Sequence, residues 1–113
     1  MTIPFVVNAT FACELYLKAL AYRSNVNLTG HSLMSLLAAL PQGERQHLNQ
    51  AWENLKKQGI SRSAVSMEVV VREMSDCFVD WRYSYDKERV TAPETPAIYD
   101  LLDALDAAYW LNI

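Results

Sequence analysis

Arg82, Tyr83 and Tyr85 lie inside the run Phe78-Val79-Asp80-Trp81-Arg82-Tyr83-Ser84-Tyr85-Asp86, where aromatic rings crowd around one arginine. A guanidinium offers five donors in a rigid fork that matches phosphate oxygens, and a phenol ring gives a flat face on which a base can stack. The same run also suits a packing role. In that case Arg82 neutralises Glu14 or another buried carboxylate, while the tyrosines close the end of a helix bundle. Residue chemistry leaves both open, and packing is the commoner fate of such a segment.

Other groups point to chemistry more weakly. Glu14 and Lys18 stand four residues apart, the spacing of an intrahelical ion pair worth about 0.2 to 0.5 kcal/mol. His31 is one of two histidines and follows Gly30. Asp100, Asp103 and Asp106 supply oxygens of the kind that hold magnesium or calcium, but their spacing strings them along one helix face, so a solvated acidic face is expected. Glu44-Arg45-Gln46-His47 has the Glu-x-x-His form that di-iron bundles use twice; here it occurs once, in the most polar stretch of the chain. Cys13 and Cys77 sit in apolar surroundings and read as two reduced core thiols. The chain has no Gly-rich phosphate loop and no Gly-x-Ser-x-Gly turn. No catalytic set, metal or cofactor is therefore expected.

These residues need elements to position them, and the composition favours helices. Hydrophobic residues make up 51% of the 113 and charged residues 20%, with only three Gly and four Pro, which fits one packed domain over 1–113 with long helices. The formal net charge of -3 argues against broad capture of nucleic acid, because that affinity comes from lysine and arginine displacing counterions. A local basic spot remains compatible with it. Ile3 to Cys13 is apolar, but it lacks a basic lead and runs straight into Glu14 and Lys18. It reads as a core helix in a cytoplasmic protein, well short of the roughly 20 apolar residues needed to cross a bilayer.

Periodicity predicts five helical stretches. The first covers Phe5 to Tyr22 with Pro4 in its first turn, and Thr10, Glu14 and Lys18 form its one narrow polar stripe. Its remaining surface must be covered, by the rest of the fold or by a second subunit. His31 to Leu40 is a short second helix stopped by Pro41, and Glu44 to Gln58 a surface helix with Gly59 at its C-terminal cap. Ser61 or Ser63 caps a fourth helix running through Val70, Met74, Cys77, Phe78 and Trp81. A charged loop follows over Asp86 to Pro93. Thr95-Pro96 then starts a last helix with Ile98, Leu101, Leu102, Leu105 and Tyr109 on its apolar face.

The order of features resembles the HEPN superfamily of helical domains. The resemblance is carried by Glu14-Leu15-Tyr16-Leu17-Lys18-Ala19-Leu20, then Gly30-His31-Ser32-Leu33, then Leu37 to Pro41, then Phe78 to Asp86, and it spans most of the chain from about Phe5 to the last helix. It implies an all-α, up-and-down bundle of four to five helices, commonly a homodimer, in families tied to RNA cleavage, toxin–antitoxin pairs and phage defence. Catalytic members carry an arginine followed, after about four to six intervening residues, by a histidine. Here Arg23 and His31 have seven residues between them, and Arg45 and His47 have one. Histidine is the side chain best suited to shuttle protons near neutral pH. Without that pair, the resemblance implies a non-catalytic module that binds RNA, a nucleotide or a protein through Arg82, Tyr83, Tyr85, Glu14, Lys18 and His31. A divergent ribonuclease and a purely structural or regulatory partner are the alternatives.

Overall fold

The computed structural model describes residues 3–59, 65–83 and 95–111, with side chains over 5–59, 65–76 and 96–110. Among them are five α-helices and no strand: α1 (Ile3–Arg23), α2 (Leu33–Ala39), α3 (Gln42–Lys57), α4 (Met67–Tyr83) and α5 (Thr95–Leu111). The all-α bundle expected from the periodicity is the fold. α1 packs against α2, α4 and α5, and α5 also packs against α3 and α4. One apolar core draws on all five helices, among them Leu17 and Leu20 of α1, Leu36 of α2, Leu48 of α3, Met74 of α4 and Leu105 of α5.

Helix ends follow local chemistry. α1 ends in a Schellman motif: Val26 N–H donates to Ala21 O and Asn25 N–H to Tyr22 O, each at 2.9 Å, with Asn25 in the left-handed region at φ 64°. This termination fixes Arg23 as the last helical residue. α2 begins at Leu33, not at His31, because the Ser32 hydroxyl accepts from Ser35 N–H at 3.3 Å and caps the helix there. His31 is therefore left in the preceding turn. Leu40 takes an extended backbone before Pro41, as the residue before a proline does. α3 starts two residues earlier than expected, which puts Glu44 in its first turn, and Gly59 follows it at φ 69°. The cap expected at Ser61 or Ser63, which lie outside the described residues, falls to Ser66, whose hydroxyl accepts from Val69 N–H at 3.4 Å. The loop expected over Asp86 to Pro93 and the side chain of Thr95 also lie outside the described residues. Replacing the α2 cap, Ser32→Ala, is expected to cost about 1 kcal/mol in urea denaturation.

Two expectations about helix faces are overturned. α1 buries its polar stripe: Thr10 and Glu14 are buried, while Phe11, Leu15 and Tyr22 are exposed. Burial is tolerable because each polar group has a partner. The Thr10 hydroxyl donates to Val6 O at 2.7 Å, and Glu14 meets Lys18 and His31. The acidic face of α5 is not uniformly solvated either. Asp100 is buried on the side that also carries Ala97, Leu101, Ala104 and Ala108, Asp103 is half-buried, and only Asp106 is exposed.

Candidate functional site

Three of the six residues singled out by sequence come together. The Glu14 carboxylate, buried on α1, lies 3.1 Å from Lys18 Nζ one turn later and 3.2 Å from His31 Nδ1 through either oxygen. Lys18 follows from helical spacing. His31 is brought in by the turn that leads from the end of α1 back to α2, with Gly30 at φ 99° immediately before it. The carboxylate is held from both sides, whereas the His31 side chain is 66% exposed and Lys18 is 28% exposed. One buried anion thus steers two cationic or proton-bearing groups toward solvent. Arg82 and Tyr83 fall in the last turn of α4, but their side chains, and all of Tyr85, lie outside the described residues.

A second polar cluster was not foreseen. Arg23 grips Glu44 with both arms of its fork, Nε to Oε2 at 3.1 Å and Nη2 to Oε1 at 2.5 Å. The same guanidinium donates to Tyr109 O at 2.6 Å and Ala108 O at 3.2 Å, in the last turn of α5 where carbonyls lack helical partners. It also stacks over the Tyr109 ring at 5.5 Å. Ser24 Oγ, at 3.4 Å, adds a donor to the carboxylate, and His47 Nδ1 lies 3.4 Å from it. Glu44 in turn sits in the first turn of α3, where a negative charge complements the helix dipole. One ion pair therefore ties the end of α1, the start of α3 and the end of α5. The hydrogen bond from Arg23, its charge and His47 together hold the Glu44 carboxyl below the usual carboxylate range, against the opposing effect of burial.

No family model, curated protein or solved structure matches this chain.

The remaining candidates separate cleanly. His47 shares Glu44 as the Glu-x-x-His pattern suggests, but Arg23 already occupies both carboxylate oxygens. Among the described residues no group of three or more His, Cys, Asp and Glu is placed to hold a metal ion. Cys13 is fully buried, and desolvation pushes its thiol up to about 12, so it has no nucleophilic character near neutral pH. Its expected role as a core thiol fits this. The side chain of Cys77 lies outside the described residues.

Between α1 and α5 an open groove of about 330 Å³ is lined by Ala12, Leu15, Tyr16, Ala19, Tyr109 and Trp110. At its edge Tyr16 donates to Asp106 Oδ1 at 2.9 Å, and that acceptor raises the phenol above its ordinary value. The groove is apolar and offers nothing to a reacting group. On chemistry, the Glu14, Lys18 and His31 cluster is the candidate for binding a charged ligand, and the groove is a candidate for packing.

Proposed function

We propose that this chain is a non-catalytic, HEPN-like binding module, homodimeric and cytoplasmic, that receives the phosphate of an RNA or nucleotide at the edge formed by Lys18 and His31. The observation that carries this reading is the buried Glu14 carboxylate, which fixes an ammonium and an imidazole side by side while both remain open to water. A phosphate would accept hydrogen bonds from Lys18 Nζ and from the outer nitrogen of His31, charge-assisted where the donor is cationic. Arg82, with Tyr83 and Tyr85 as stacking rings, would extend the same surface. Under the resemblance stated above, the setting would be a toxin–antitoxin or defence system.

A single-stranded RNA carrying a fluorophore, titrated with the protein across a range of salt concentrations, tests this by anisotropy. Lys18→Ala is expected to weaken binding and to lower the salt slope by about 0.7, as for the loss of one phosphate contact on a single strand. Arg82→Ala and His31→Ala are expected to weaken it as well. Affinity that none of these variants changes would refute the phosphate site.

One observation favours a second reading as a divergent ribonuclease. A carboxylate holding one imidazole nitrogen fixes the ring's orientation and tautomer, as a general base requires. The same labelled strand, resolved by gel electrophoresis, separates the two readings. Cleavage by the wild type that disappears in His31→Ala would replace binding with catalysis.

A further inference from the structure

α1 leaves apolar side chains where a helix normally presents charge. Leu15 is 66% exposed and Tyr22, two turns further along the same stripe, is 73% exposed; Trp110, across the groove on α5, is 59% exposed. Taking about 200 Å² for a whole aromatic side chain, these three residues leave on the order of 400 Å² of apolar surface in water. A standard interface removes about 800 Å² from each partner, of which about 57 to 65% is apolar. Three side chains thus supply most of the apolar half of one such interface, before the half-buried Ala12, Tyr16 and Ala19 are added.

We propose that the occupant of this face is a second copy of the chain, laid antiparallel along α1 with Leu15 on the twofold axis. This rests on the self-association proposed above and adds which faces meet and in which direction. Size favours the antiparallel arrangement. With a rise of about 1.5 Å per residue, Phe11 of one copy stands level with Ala19 of the other, and Tyr22 level with Asn8, so each ring meets a small or short side chain. Glu14 and Lys18 flank the stripe on one side, one residue before Leu15 and three after it.

A consequence reaches the polar cluster. A twofold axis perpendicular to two antiparallel helices keeps the same flank of each on the same side of the seam. Both Lys18 and His31 edges then border one face of the dimer, and a ligand spanning the seam meets the edge of each copy.

Sedimentation equilibrium of the full chain without nucleic acid, over a range of concentrations, is the first test. Wild type should reach twice the monomer mass, and Leu15→Glu, an exposed substitution, should stay monomeric with unchanged helical circular dichroism. The second test is Leu15→Cys in a Cys77→Ser background under mild oxidation. A disulfide needs the two Cα atoms within about 7 Å, so efficient cross-linking is expected only if residue 15 faces itself across the axis. This measurement decides the matter if Leu15→Glu unfolds. A wild type that is monomeric throughout removes both the self-association and this geometry. A dimer that survives Leu15→Glu, or a Leu15→Cys dimer that does not cross-link, leaves self-association standing and overturns the α1 face. RNA titration of the same samples reports separately on the phosphate site.

Discussion

Glu44→Ala is expected to destabilise the fold by about 3 kcal/mol, the lower end of the range for breaking a buried ion pair. The lower end applies because the Arg23 side chain remains 24% exposed, so water can reach part of the stranded guanidinium. The loss spreads beyond the pair. Arg23 is positioned by Glu44 to donate to the carbonyls of Ala108 and Tyr109, so three helix ends loosen together. In a domain of this size the thermal midpoint should fall by roughly 10 to 15 °C. Urea denaturation followed at the helical circular dichroism band measures the loss in free energy, and a thermal melt at the same band measures the midpoint. A double-mutant cycle with Arg23→Met isolates the coupling: if Glu44→Ala costs nearly as much in the Arg23→Met background, the pair is not the source.

The same pair sets an acid limb on the stability curve. In the unfolded chain a glutamate titrates near about 4.3, and in the fold Arg23 holds Glu44 lower. At pH values between the two, the unfolded state binds more protons, so stability rises with pH there. The contribution of Glu44 is therefore complete above its unfolded value and is lost as pH falls through the folded one. Arg23 keeps its charge throughout and adds no slope of its own. Glu44→Gln should flatten this limb. Wild type and variant curves that remain parallel below pH 4.3 would contradict the assignment.

Helix number and order were legible in the sequence because they depend on local features: apolar period, Pro41, Gly59 and the Thr95-Pro96 start. The orientation of helix faces was less legible. A polar residue reads as surface until its partner is known, and the partners here are far away in sequence. Glu44 lies in the most polar stretch of the chain, yet it is buried because Arg23, 21 residues earlier, ends α1 beside it. An acidic residue just after Pro41 was the one local signal, since a first-turn carboxylate suits a helix start. Asp100 was read as part of a solvated face for the same reason. Its apolar neighbours Ala97, Leu101, Ala104 and Ala108 recur at helical spacing on its own side, which was the better guide.

The polar cluster shows the same division. Glu14 with Lys18 follows from four-residue spacing alone. Adding His31 required the path of the turn after α1, which brings the chain back beside Glu14 and which periodicity cannot supply.

Leu105→Ala should be among the most costly substitutions in the core, about 2.7 to 5 kcal/mol for a fully enclosed leucine. Leu105 is 0% exposed on α5, the helix that packs against α1, α3 and α4. The cost depends on how far neighbours can close the cavity, and here they are constrained. The Arg23 guanidinium anchors the last turn of α5 only three residues beyond Leu105, and Ala104 and Ala108 are already fully buried in its packing. Little relaxation is available, so the upper half of that range is expected. Leu15→Ala serves as the contrast, since a two-thirds exposed leucine on the monomer surface should cost under about 0.5 kcal/mol. Denaturation at low protein concentration keeps self-association out of both numbers. A Leu105→Ala cost no larger than that of Leu15→Ala would mean that α5 does not carry the core as the structure has it.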